Sequence, residues 1–173
     1  MKKLFVLAMI AIMTFVACNN DENNDNTEPT GKVSIEGRWN APRFAEQPDD
    51  YAFVLIFKGS ALDLYIIAWG QHYLGTYTLA DGRVNYTITD VYQAYSDVTY
   101  NEDGSMASWS WWAGNLNQDT LKLEEGFDWY LMNDNPDYAS YIEELSSFKF
   151  EIDENGTAHS DIFGIEEIVY NKQ

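Results

Sequence analysis

The strongest constraint on what this chain can fold into is an apolar period of two, broken at short intervals by tight-turn residues. Leu62, Leu64 and Ile66 alternate with Asp63, Tyr65 and Ile67. Val84, Tyr86 and Ile88 alternate with Arg83, Asn85, Thr87 and Thr89, and Phe148, Phe150 and Ile152 with Lys149, Glu151 and Asp153. Successive side chains of a strand point to opposite faces, so each run is a strand with one face buried. Between the runs stand Lys58-Gly59-Ser60, Ala80-Asp81-Gly82, Glu102-Asp103-Gly104 and Glu154-Asn155-Gly156. Asp-Gly and Asn-Gly tolerate the positive φ that two-residue hairpin turns demand. Connections this short join antiparallel neighbours, because a parallel crossover takes about a dozen residues or more.

The pattern predicts strands over 36–44, 52–58, 62–69, 73–79, 83–90, 96–100, 106–112, 119–124, 127–132, 147–153, 157–163 and 165–170, some of them merging. Many short strands in chain order point to a mainly β protein, an up-and-down antiparallel barrel or a sandwich. One short helix is expected near 136–146, where Tyr138, Tyr141, Ile142 and Leu145 form an apolar stripe at helical spacing. Asn135 can cap it, and Pro136 suits the first helical position, where its missing N–H costs nothing. The helix is expected to close over an edge or an end of the barrel.

Composition narrows the partners. The chain has 173 residues, with 28 Asp+Glu against 10 Lys+Arg, for a formal charge of −18. Nucleic acid and an anionic membrane surface would both repel it. The 6 Trp and 12 Tyr exclude an acidic disordered chain, which needs few aromatics to stay unfolded. A single Cys excludes a disulfide framework and multi-Cys metal sites.

That Cys has a telling position. Lys2 and Lys3 precede an apolar run from Leu4 to Ala17, and Cys18 follows directly. The run is shorter than the ~20 residues that a membrane-spanning helix needs, but it suits the apolar region of a secretory signal. Phe15-Val16-Ala17-Cys18 resembles the lipobox of a bacterial lipoprotein, with Phe15 where Leu is more usual. The resemblance implies that 1–17 is a signal peptide and that Cys18 is lipidated, its acyl chains (palmitate among them) anchoring the chain to the membrane. Removal of Lys2 and Lys3 would take the charge from −18 to −20. Residues 18–32, with Asp21, Glu22, Asp25 and Glu28 and hardly an apolar side chain, read as a flexible acidic tether. Asp21, Asn23, Asp25 and Thr27 have calcium-loop spacing, but Asn26 and Lys32 stand where such a loop needs Gly and Glu. An acidic cluster behind a lipidated Cys also resembles the export tag of Gram-negative surface lipoproteins, which implies an outer-membrane location with outward display.

The remaining domain, 33–173, opens with Gly37-Arg38-Trp39, and hairpins follow closely. Phe53 to Gly59, Gly75 to Gly82 and Phe148 to Gly156 succeed one another in the order of lipocalin strands. The stretch resembles lipocalin-like bacterial lipoproteins, which implies an antiparallel barrel of about 8–10 strands with Trp39 as a structural plug at one end. It does not supply ligand residues.

No catalytic constellation emerges from spacing. His72 and His159 sit in separate hairpins without a metal-ligand partner, and no Gly-x-Ser-x-Gly turn or phosphate loop is present. Carboxylate pairs such as Glu124-Glu125 are ordinary for so acidic a chain. The expectation is therefore a non-catalytic protein without cofactor or metal. The aromatics carry more information. Ser108 to Trp112 sets Trp109 and Trp111 on one face of a strand and Trp112 on the other, and Phe127, Trp129 and Leu131 share a face nearby. One reading places a small, mainly apolar ligand inside the barrel against Tyr77, Tyr86, Trp109, Trp111 and Trp129. A second makes exposed Trp and Tyr a glycan-binding surface, and a third gives a packed barrel serving as an interaction module.

Overall fold

The computed structural model describes residues 34–44, 47–165 and 167–173, with the backbone alone for 44 and 47–50. The expected signal peptide, the lipidation site Cys18 and the tether lie outside the described residues. Ten strands are seen among the described residues: β1 Gly37–Phe44, β2 Gln47–Lys58, β3 Ala61–Ile66, β4 Gln71–Ala80, β5 Arg83–Tyr100, β6 Met106–Ser110, β7 Phe127–Leu131, β8 Ser147–Ile152, β9 Ala158–Ser160 and β10 Ile168–Lys172. One α-helix, α1, spans Ala139–Leu145.

Each strand of the order β1-β2-β3-β4-β5-β8-β9-β10 pairs antiparallel with the next, and β10 returns to β1 through Trp39↔Lys172 and Asn40↔Asn171. The result is a closed eight-strand up-and-down barrel, within the expected range and consistent with a lipocalin-like architecture. Closure leaves no open edge in these eight strands.

The turn residues act as read from the chain. Asp81 and Gly82 have φ of 52° and 72°, and they join β4 to β5 in the two-residue hairpin that Asp-Gly favours. Two of the expected strands, 83–90 and 96–100, merge into β5, which runs past the end of the barrel. Its last residues hold β6 at Ser96↔Ser110 and β7 at Ser96↔Phe127, one on each side.

The expected strand 119–124 is not a strand. Residues 111–126 instead form a strap tied by the bridge Leu116↔Leu123. Leu116 packs with Tyr51, Val54 and Ile67 in a second apolar cluster, separate from the main core. Arg38 holds the strap by donating to the carbonyls of Gln118 and Asp119. The expected strands 62–69 and 157–163 end early, because Ile67–Trp69 and Ile162–Gly164 are 3-10 turns.

The helix begins as the sequence indicates. The Asn135 side chain accepts from the Asp137 N–H at 3.0 Å, Pro136–Tyr138 form a 3-10 turn, and α1 continues from it. Tyr138 and Leu145 point into the core.

The barrel interior is filled. Trp39, Leu55, Phe57, Leu62, Leu64, Tyr73, Val84, Tyr86, Phe148, Phe150 and Tyr170 are all buried in one cluster. This packing leaves little room for a ligand deep in the barrel. Trp39 is fully buried where β1 begins, edge-on to Phe150 at 5.5 Å, with its indole N–H donating to the Ile35 carbonyl. The register places it at the same end as Phe57 and Tyr77. The other end receives α1 and the Ile162–Gly164 turn, and there the barrel stays partly open.

Candidate functional site

The open end is built around one irregularity. In the β4–β5 ladder, Leu74 faces Asp90 but Gly75 faces Ile88, so β5 carries an extra residue at Thr89. A side-chain period of two changes face when one residue is inserted. Val84, Tyr86 and Ile88 face inward before the bulge, whereas Val91, Gln93 and Tyr95 do so after it. Gly75 permits this, because a Cβ there would lie 2.1 Å from the Thr87 carbonyl oxygen.

The consequence is a polar floor. Gln71 and Gln93 face each other across β4 and β5, only 8% and 4% exposed. Gln93 Nε2 donates to the Trp69 carbonyl at 2.7 Å, and its Oε1 accepts from the Tyr138 hydroxyl at 3.0 Å. Gln71 Oε1 accepts from the Tyr73 hydroxyl at 3.0 Å. Burial pushes the Tyr73 and Tyr138 hydroxyls well above the ordinary tyrosine range, with neighbouring tyrosines adding to it. Both phenols therefore stay protonated and neutral at physiological pH.

Aromatic walls rise from this floor. Trp69 comes from the turn after β3, Tyr95 from β5, Trp109 and Trp111 from β6 and its end, and Tyr141 from α1. With the two glutamines they line an open cleft of about 370 Å³. The Trp111 indole N–H donates to the Trp69 carbonyl at 2.9 Å, fixing one wall to the other. Trp109 lies 5.5 Å from Tyr95, and Trp69 lies 6.2 Å from Tyr141, between ring centroids. Trp69, Trp109 and Trp111 nevertheless stay 44%, 51% and 45% exposed. The seven lining residues carry no charge.

Of the five ligand-binding residues expected from sequence, Trp109 and Trp111 stand together in this cleft. The other three are placed elsewhere. Tyr86 is buried in the barrel, its hydroxyl within hydrogen-bonding distance of the Leu62 and Tyr73 carbonyls. Tyr77 lies at the opposite end, edge-on to Phe57 at 4.9 Å. Trp129 packs outside the barrel, 5.7 Å from His72 and against the cluster under the strap.

Sequence reasoning missed Trp69, Gln71, Gln93, Tyr95 and Tyr141 as site residues. Gly75 inside a strand pattern was the one local signal of a bulge, and hence of the change of face. His72 is partly buried, and its Nε2 lacks a hydrogen-bond partner. Its ring stacks on Tyr65 at 3.9 Å, and burial lowers it to about 4. His159 sits between Glu167 at 3.0 Å and Asp153 at 3.6 Å. Among the described residues no group of three His, Cys, Asp or Glu is placed to hold a metal ion.

Comparison with protein-family models, with curated proteins and with solved structures finds no match for this chain.

Proposed function

We propose that this chain is a lipid-anchored lipoprotein of the bacterial outer membrane that binds a small ligand without transforming it, at the mouth of its barrel. The observation that supports the reading is the convergence of Trp69, Tyr95, Trp109, Trp111 and Tyr141 over Gln71 and Gln93. Large aromatics left half-exposed lose free energy to water unless something covers them. Convergent polar groups beneath an aromatic cleft are the usual make-up of a small-molecule site. The packed interior supports a site at the rim of the barrel rather than in its depth.

The test is a ligand screen read by tryptophan fluorescence on the wild-type protein, repeated on Trp109→Ala and Trp111→Ala. The expected outcome is saturable binding weakened about tenfold or more by each substitution, since losing one packed aromatic removes on the order of 1.4 kcal/mol. A ligand held equally well by both variants would remove the mouth from consideration.

A further inference from the structure

We infer that the ligand of the mouth is a neutral saccharide, its ring faces laid on Trp69, Trp109 and Trp111 and its hydroxyls set toward Gln71 and Gln93. The inference rests on the reading of the mouth as a binding site and adds the chemical class.

Charge comes first. The lining carries none, while the chain as a whole stands at −18. An anionic ligand, a fatty acid included, would approach against that field and find no cation in the cleft. A cationic ligand would find no carboxylate among the lining side chains.

The floor decides between an apolar and a hydroxylated ligand. The Gln93 amide N–H groups are taken up by the Trp69, Gly70 and Ala94 carbonyls, but the side-chain carbonyl oxygens of Gln71 and Gln93 each keep a lone pair after the bonds from Tyr73 and Tyr138. A hydrocarbon laid on these amides would strip their water and return no hydrogen bond. A sugar hydroxyl donates and accepts, so it replaces the water it displaces. Below the floor Leu64, Tyr73 and Tyr86 pack in the barrel core, which leaves little room for a long alkyl chain. The cleft of about 370 Å³ suits a short ring system.

The walls complete the match. A pyranose presents C–H bonds of slight positive charge on its faces, and an indole face is negative. The Trp111-to-Trp69 hydrogen bond and the Tyr95–Trp109 contact hold the indoles in place before any ligand arrives, which lowers the entropy lost on binding.

The test uses the lipidated full chain in phosphatidylcholine vesicles, because maltoside detergents would themselves offer sugar headgroups. Tryptophan emission is followed against neutral oligosaccharides (maltoheptaose, cellohexaose, mannohexaose and N-acetylchitohexaose) and against the apolar probes retinol and N-phenyl-1-naphthylamine. The expected result is saturable binding of at least one oligosaccharide. Trp109→Ala and Trp111→Ala weaken it about tenfold or more, whereas Tyr77→Ala at the opposite end leaves it unchanged. Its affinity stays within about twofold between low and high salt, as a neutral ligand requires. If only the apolar probes bind, and the same two tryptophan variants abolish their binding, the saccharide class is overturned and the mouth-binding reading stands. Silence from every oligosaccharide also overturns the class. Sugar binding that survives both tryptophan substitutions overturns the mouth itself.

Discussion

Trp39 and His72 show two degrees of burial, one complete and one partial, with different consequences. Trp39 fills the end of the barrel against Phe150, with Lys172 Nζ 5.3 Å from its ring centroid. Trp39→Ala leaves a void that a closed barrel cannot collapse to fill, so unfolding in denaturant should show a loss of about 3–5 kcal/mol. A loss under about 1 kcal/mol would mean that Trp39 is not the plug its Gly-x-Trp setting implies. His72 is packed by Tyr65, Tyr92 and Trp129, and its Nε2 lacks a hydrogen-bond partner. Burial takes it from the ordinary 6.5 to about 4, so the folded protein favours the neutral ring. The unfolded chain accepts the proton first as pH falls. Protonation of His72 therefore takes no stability above about 6.5, and its pH-dependent loss, on the order of 3 kcal/mol, accumulates between 6.5 and 4. His72→Phe keeps the stacking and should flatten that part of the stability–pH curve. An unchanged slope would refute the assignment.

At the scale of elements, the bulge in β5 matters more than any single strand. The expected alternation is accurate up to Ile88, and Gly75 then reverses which side chains face inward. Gly75→Ala forces a Cβ against the Thr87 carbonyl, and overpacking of backbone costs about 1–3 kcal/mol or more. Because the clash lies in the bulge, the variant should also shift the backbone NMR signals of Gln93 and Tyr95. Shifts confined to residues next to 75 would separate the bulge from the mouth. Asn135 and Pro136 were legible as a helix start because capping is local chemistry. The strap was not, since Leu121 and Leu123 resemble a strand by spacing, yet they pack with the outer-face cluster. Arg38, which ties it down, is far away in the chain.

At the scale of the molecule, one end of the barrel is closed by Trp39 and its neighbours, and the other carries the aromatic mouth. Anchoring is proposed through Cys18. Labelled palmitate should be incorporated into the protein in cells, and Cys18→Ser should abolish it and release the protein from the membrane fraction. Label retained after that substitution would place the anchor elsewhere.

The sequence by itself determined the β class, the hairpin turns and the helix start. These follow from period-two alternation, positive-φ residues and capping, all of which act over a few residues. Only the tertiary structure decided that β10 closes on β1, that the interior is full, and that Trp109 and Trp111 meet Trp69, Tyr95, Tyr141 and two glutamines. Those contacts join residues from four separate places along the chain. Their encounter depends on strand register and on one inserted residue, which local periodicity does not encode beyond a single glycine.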